Sequence, residues 1–259
     1  MSNSHDHHHD DHGHHHTEAP KIFEVVLKNK KEVAEGATAF FFEKPEGFTF
    51  RAGQHIEMKL INPPETDAEG NSRMFSLVNS PFEDSIVIAT RMRDTAFKRV
   101  LGQIPIGGKV TVENPHGSFM LHNDSSKPAV FLIGGIGITP IFSMIKDATE
   151  KKLPHRLVLF YSNKRPEDAA FLQELEILAR QNHNFKLIAT LTESEKSKTT
   201  WNGETGHIDQ AMLHKYVDDL QIPIYYISGP PVMVAAMRKL LTDSGVNEDN
   251  IRTEEFSGY

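Results

Sequence analysis

The feature that most constrains this chain is a change of hydrophobic rhythm part-way along it. From about Lys21 to His122 apolar and polar residues alternate. In QHIEMKL, Ile56, Met58 and Leu60 share one face while Glu57 and Lys59 take the other. Similar runs recur at KIFEVVLK, RMFSLVNS, DSIVIATRM and GKVTVEN, most of them separated by Gly, Pro, Asn or Asp. A period of two is the repeat of a half-buried strand, so this half predicts an antiparallel sandwich or barrel. One helix interrupts it, with Phe97, Val100, Leu101 and Ile104 at helical spacing. The polar stretch NDSSKP at 123–128 reads as a linker. Beyond it AVFLI, RLVLFYS, FKLIATLT and PIYYISG are compact apolar strands, and helical patterns fall at 139–151, 166–181, 208–220 and 230–244. In the second of these, Phe171, Leu172, Leu175, Leu178 and Ala179 make one stripe, and IRTEEF closes the chain as a strand. Strict alternation of strand and helix means a parallel sheet covered on both faces. The expected architecture is two-domain: an antiparallel β barrel over 21–122, then an α/β parallel-sheet nucleotide-binding domain over 129–259.

Residues 1–20 stand apart. They hold eight of the fifteen histidines, four acids (Asp6, Asp10, Asp11, Glu18) and no Lys or Arg. Such a tract cannot bury a core and is expected to be disordered. Imidazoles interspersed with aspartates bind zinc, nickel or copper loosely, so His7, His8, His9, His14, His15 and His16 form a candidate weak metal tail. A solubilising tail is the equal alternative, and no metal site is expected in the core. Net charge is −7, of which the tail supplies −4, and the remaining −3 gives no electrostatic reason to expect nucleic acid. The sequence has no cysteine, which excludes disulfides and cysteine-held iron–sulfur clusters. Residues 128–145 are uncharged and near membrane-span length, but their central glycines and Pro140 read as strand–turn–helix. No membrane span and a cytoplasmic location are the expectation.

The stretch GGIGITP at 134–140 joins the first α/β strand to its helix. Gly135 and Gly137 permit a tight turn and let backbone N–H groups approach a diphosphate at the helix start. Thr139 is placed to cap that helix, and Pro140 suits its first position. The next strand ends with Ser162, Lys164 and Arg165 rather than with an acid. A hydroxyl and cations suit the 2′-phosphate of NADP, so NADPH is the expected nicotinamide, with NADH as the alternative.

Taken together, these pieces resemble the ferredoxin–NADP⁺ reductase superfamily, specifically its compact FAD-dependent NAD(P)H oxidoreductases without an iron–sulfur domain. The resemblance runs from about Lys21 to Tyr259. Arg73-Met74-Phe75-Ser76 resembles the Arg-x-Tyr-Ser flavin motif. It implies that Arg73 holds the flavin diphosphate, that the Phe75 ring lies against the isoalloxazine without a tyrosine hydroxyl, and that Ser76 bonds flavin N5. The segment from Arg91 to Lys98 resembles the second diphosphate element, with Arg91 and Thr95 as its contacts, and ENPHGSFML resembles the turn that closes the barrel. GGIGITP resembles the nicotinamide turn, with Thr139 near the flavin. Ser228-Gly229-Pro230 resembles Cys-Gly-Pro, with serine for the thiol at the transferring carbon. The C-terminal EEFSGY resembles an aromatic cover for the isoalloxazine, carried by Phe256 or else by Tyr259, with Glu255 as a proton carrier. The implied function is hydride transfer from NAD(P)H to FAD. Electrons then pass to a separate acceptor, which is a ferredoxin, flavodoxin, oxygenase, haem protein or small molecule. A non-catalytic flavin- or nucleotide-sensing module, or a metal-buffering protein built around the histidine tail, stands beside this reading.

Overall fold

The computed structural model describes residues 21–256, so the histidine tail and Tyr259 lie outside the described residues. Six strands form the first sheet: β1 (Ile22–Ala34), β2 (Ala37–Glu43), β3 (His55–Leu60), β4 (Ser72–Ser76), β5 (Ser85–Arg91) and β6 (Lys109–Glu113). They run in the order β4-β3-β6-β1-β2-β5, antiparallel throughout. Just past β4 the Val78 N–H donates to the Val87 carbonyl of β5 at 2.9 Å, so the two edges meet and the sheet closes. Inside it Leu27, Phe40, Phe42, Ile56, Met58 and Leu77 pack with Phe97 and Leu101 of α1 (Ala96–Gln103). β2 escaped the alternation rule for a physical reason. Phe40 and Phe42 fill the barrel while Ala37 and Ala39 are buried under the second domain, leaving no polar face to mark the strand.

The second sheet is parallel, in the order β10-β9-β8-β7-β11-β12. Its strands are β7 (Ala129–Gly134), β8 (Leu157–Asn163), β9 (Phe185–Leu191), β10 (Glu204–Thr205), β11 (Ile224–Gly229) and β12 (Ile251–Glu255). The chain works outward from β7 to β10, then returns to build β11 and β12 on the other side. The strand order thus reverses at β7, and ligands of such sheets bind beyond the carboxyl ends at that point. Four helices complete the layers: α2 (Ile138–Glu150), α3 (Leu172–Gln181), α4 (Gln210–Tyr216) and α5 (Pro231–Asp243). Phe131 and Ile133 of β7 pack with α2 and α3, and Val130 and Leu132 pack with α4 and α5. Among the described residues no helix is long and apolar enough to cross a membrane. The uncharged run 128–145 divides into β7, a turn and the start of α2.

The expected helix over 166–181 is broken. Pro166–Asp168 make a short 3₁₀ turn, and Phe171 then takes a left-handed backbone (φ 60°) before α3 begins. Its ring is stacked on Phe142 with centroids 4.7 Å apart, and this burial holds a conformation that bulky residues otherwise avoid. The helix expected over 208–220 shrinks to α4, capped by Asp209, whose carboxylate accepts the Met212 N–H at 2.7 Å.

The two halves share one apolar cluster. Ala37, Ala39, Val78, Val87 and Ala89 of the barrel pack with Ile133, Ile138, Ile141 and Met144. Polar ties flank it: the Ser143 hydroxyl donates to the Asn79 carbonyl at 2.7 Å, and Lys146 pairs with Glu83 at 2.7 Å. At the far end the linker is anchored by His122, whose N–H donates to the Tyr226 hydroxyl at 2.8 Å and whose Nδ1 lies 3.0 Å from it. Burial pushes the Tyr226 phenol up to about 12. Burial also holds the His122 imidazole below its ordinary range, helped by His155 and Arg252 and opposed by the Lys127 carbonyl and Asp124. A histidine with a lowered folded pKa binds fewer protons folded than unfolded once pH falls below about 6.5. Its penalty is absent above that pH and grows as pH falls towards the folded value. Thermal unfolding between about pH 7 and pH 5 should therefore lose more stability in the wild type than in His122→Gln. Identical pH slopes for the two proteins would show that His122 is not responsible.

Candidate active site at the domain crevice

On the barrel side, β4 places the flavin-motif residues. Ser76 is buried at its end, opposite His55 in the β3 register, and Met74 points outward, 49% exposed. The Phe75 ring turns into the barrel, 5.9 Å from Phe97. Arg73 lies over the same Phe97 ring, 5.1 Å from guanidinium carbon to centroid. Its guanidinium donates to Asp67 Oδ1 at 2.6 Å and pairs with Glu69 at 3.0 Å. The hydrogen bond from Arg73 holds the Asp67 carboxyl below the usual carboxylate range. Arg91 reaches across the interface, donating to the Asp168 carbonyl at 2.8 Å. Thr95 caps α1, accepting the Lys98 N–H at 3.4 Å. Burial first, then the nearby Arg93 and Arg73 charges, push the Lys98 amine below the lysine range. Like charges crowded at a helix start are relieved by an anion, which is how such ends hold phosphate.

On the sheet side, the glycine turn leaves β7 as a 3₁₀ turn, Gly135–Gly137, with Gly135 left-handed at φ 52°. The Tyr161 hydroxyl lies 3.1 Å from both the Gly135 and the Ala170 carbonyls and ties this turn to the next one. Thr139 is not the cap expected from its type. It sits within α2, 1% exposed, and its hydroxyl donates to the Ile136 carbonyl at 3.1 Å, with Gly137 at the N-cap position. Pro140 correspondingly falls third in the helix, still within the first turn, where its missing N–H costs nothing. A Cβ on Gly137 would lie 2.7 Å from Gly229 N and from the Ser228 carbonyl carbon and oxygen. The two turns therefore touch backbone to backbone.

Ser162 is half-buried at the tip of β8, and Arg165 is paired with acids there. Its Nε and Nη2 grip both Asp168 oxygens at 2.9 Å, and Nη2 also reaches Glu35 of the β1–β2 turn at 3.0 Å. An acid three residues downstream and another from the barrel thus pair with the cation that the sequence offered to a 2′-phosphate.

The C-terminal strand closes the crevice. The Phe256 N–H donates to the Gly229 carbonyl at 3.1 Å, and its half-buried ring packs against the shared apolar cluster. Glu255 is exposed on the wall, whereas Glu254 turns inward towards His55. Arg73, Phe75, Ser76, Arg91, Thr95, Glu255 and Phe256 thus line one cleft of about 580 Å³ together with Ile136 of the glycine turn. Thr139, Ser162, Arg165 and Ser228 are not on its walls. Sequence reasoning passed over His55, Lys98 and Glu254. The first lies opposite Ser76 and the second one turn into α1, placements that need the strand register and the cap to be seen.

The residues present fit a flavin and a nicotinamide. Ser228 Oγ and Glu254 Oε2 are buried without a partner, and the glycine turn is bare backbone where a side chain would not fit. Among the described residues no group of three or more His, Cys, Asp or Glu is arranged to hold a metal.

Residues 131–239 match the family described as "Oxidoreductase NAD-binding domain". The chain is 27% identical to one component of the Na(+)-translocating NADH-quinone reductase of Idiomarina loihiensis, over 91% of its own length and 68% of that protein's. It superposes on the flavohem-like FAD/NAD-binding domain of nitric oxide dioxygenase from Vibrio cholerae (TM-score 0.76, 17% identity, 90% of this chain and 98% of that one). A ferredoxin NADP⁺ reductase from Neisseria gonorrhoeae, with bound FAD and NADP, superposes at TM-score 0.75 and 20% identity over 91% and 98% of the two chains. Barrel, parallel sheet and shared crevice give the chain the two-domain fold of these FAD/NAD-binding proteins, and its second half carries an oxidoreductase NAD-binding domain.

Proposed function

We propose that this protein is an FAD-dependent reductase that takes hydride from NADH in preference to NADPH and passes electrons to a separate acceptor. The observation that supports the donor choice is the commitment of Arg165 to Asp168 and Glu35. A 2′-phosphate would have to displace two carboxylates from that guanidinium, whereas NADH asks nothing of it. The Idiomarina relative, named as a component of an NADH-quinone reductase, points the same way.

When bound, FAD supplies the step from two-electron to one-electron chemistry, and the protein supplies binding, orientation and polarity. Arg73, Thr95 and Lys98 would hold the diphosphate at the start of α1. Ser76 would present its hydroxyl to flavin N5, and the Phe75 edge would close the barrel-side wall. Gly135 and Gly137 would admit the nicotinamide dinucleotide, Phe256 would cover the flavin ring, and Ser228, buried behind the crevice wall, would approach the transferring carbon only once Phe256 is displaced. Thr139 shapes the turn through its bond to Ile136. Glu255, exposed on the wall, lies between the crevice and solvent, where a proton carrier would stand. A crevice that holds both groups together would make the transfer effectively intramolecular. These 259 residues hold no cysteine for an iron–sulfur cluster, so the onward acceptor lies outside the two domains.

The purified protein should take up FAD, turn yellow and bleach at least about tenfold faster with NADH than with NADPH in stopped-flow mixing, a difference of roughly 1.4 kcal/mol. Asp168→Asn, which loosens Arg165, should narrow that gap by speeding NADPH. Equal rates with both donors in the wild type would reject the donor choice, and a colourless protein that binds no FAD would reject the flavin.

A further inference from the structure

We propose that His55 is a positioning residue for the crevice: it holds the Glu254 carboxylate turned inward, beside Ser228, at the meeting of the barrel and sheet sides. This rests on reading the crevice as a flavin and nicotinamide site. The geometry comes from two registers. On the barrel, His55 is paired with Ser76 across β3 and β4. On the sheet, Ser228 is paired with Glu254 across β11 and β12. Paired residues of parallel strands share a face, and Arg252, two residues before Glu254, donates to the Tyr226 hydroxyl on the barrel-facing side at 3.2 Å. Glu254 and Ser228 therefore face the barrel as well. His55 Nδ1 lies 3.6 Å from Glu254 Oε1, the one basic side chain within 4.0 Å of that carboxylate among the described residues. The line Ser76, His55, Glu254, Ser228 crosses the domain boundary at the place where hydride must cross.

The imidazole is itself fixed. His55 and His116 exchange backbone hydrogen bonds at 3.0 and 2.9 Å, and their rings meet edge to face with centroids 4.4 Å apart. Gly117 leaves room for it, since a Cβ there would lie 2.7 Å from His55 Cε1. At 3.6 Å the His55 ring nitrogen approaches Glu254 at slightly more than hydrogen-bond length. It still decides the direction of the carboxylate, because the other oxygen, Oε2, is buried without a partner. A buried acceptor in that condition is costly. Without His55 the side chain swings to solvent, where Glu255 already lies. With His55 it stays, offering an acceptor next to the unpartnered Ser228 hydroxyl. The wider charged lining of the cleft comprises Glu57 on β3 itself, Asp67, Glu69 and Arg73 from the β3–β4 side, Arg91 and Lys98 from β5 and α1, and Glu255.

The test uses the full chain loaded with FAD. His55→Phe should slow flavin reduction by NADH about tenfold, while the FAD dissociation constant, read from flavin fluorescence, stays within about twofold. His55→Gln, which keeps an N–H donor near Glu254, should recover most of the rate, although phenylalanine is the better filler of an aromatic slot. In a Glu254→Gln background His55→Phe should cost nothing further. The same double-mutant cycle, measured by thermal unfolding of FAD-free protein, should show coupling between the two positions whatever the flavin does. The proposal is overturned if His55→Phe reduces as fast as the wild type, if the glutamine variant is no better than phenylalanine, or if the two substitutions are additive in the unfolding cycle. Failure of the wild type to bind FAD would sink the flavin reading instead, leaving the unfolding cycle to judge His55.

Discussion

Replacing Gly137 with alanine slows flavin reduction by NADH at least about 100-fold and lowers the melting temperature, yet leaves FAD uptake near the wild-type value. The reason is not backbone freedom, because Gly137 has φ −58° and ψ −7°, angles any residue adopts. The obstacle is the opposing turn. A methyl group there meets three backbone atoms of Ser228 and Gly229 at 2.7 Å, and Gly229 in turn lies against Gly134. Neither side can yield like the tip of a flexible side chain, so β7 and β11 must part at their carboxyl ends. Overpacking of this kind costs about 3 kcal/mol at the upper end of its usual range. For a chain of this size that is a fall of roughly 6–12 °C. The functional loss is larger than the stability loss because a displacement of about 1 Å in a reacting geometry costs on the order of 100-fold. Stopped-flow reduction and a thermal melt of the same preparation check both numbers. An alanine variant that is reduced at the wild-type rate would mean that the two turns do not form the nicotinamide floor.

The second large effect falls on the flavin. Arg73→Gln should raise the FAD dissociation constant about 10- to 100-fold, matching the loss of a charge-assisted contact worth about 1.5–3 kcal/mol. FMN and riboflavin should lose less, the latter least, since the effect tracks phosphate. The structure sharpens this expectation. Arg73 already bonds Asp67 and Glu69, so its contribution is what remains after those carboxylates let go. Titration by flavin fluorescence at low and moderate salt measures it, and an equal loss for FAD and riboflavin would show that Arg73 shapes the strand rather than gripping phosphate.

The architecture was legible wherever one face of an element is wet. β1, β3 and β6 announce themselves by alternation, and the continuous apolar β5, β7, β8 and β11 by their length and flanking turns. β2 stayed hidden because both its faces are dry. The helix over 166–181 was overread because Phe171 satisfies a helical stripe while its backbone is left-handed. A ring packed on Phe142 decides that, and Phe142 is far away in sequence. The tight backbone turns at Gly135, Gly137 and Gly229 could be read directly. Long cations could not. Whether Arg165 is free or spent depends on Glu35, which arrives from the other domain. His55 carried no motif at all, and only the pairing with Ser76 reveals its place.

The alanines and valines that the barrel lends to the underside of the sheet carry a practical consequence. Ala37, Ala39, Val78, Val87 and Ala89 finish a layer that Ile133, Ile138 and Ile141 begin. A chain cut in the 123–128 segment would yield two fragments, each with a sticky oily wall. Chimaeras that swap one half for that of a relative would inherit the same mismatch unless this ledge of small side chains is transplanted too.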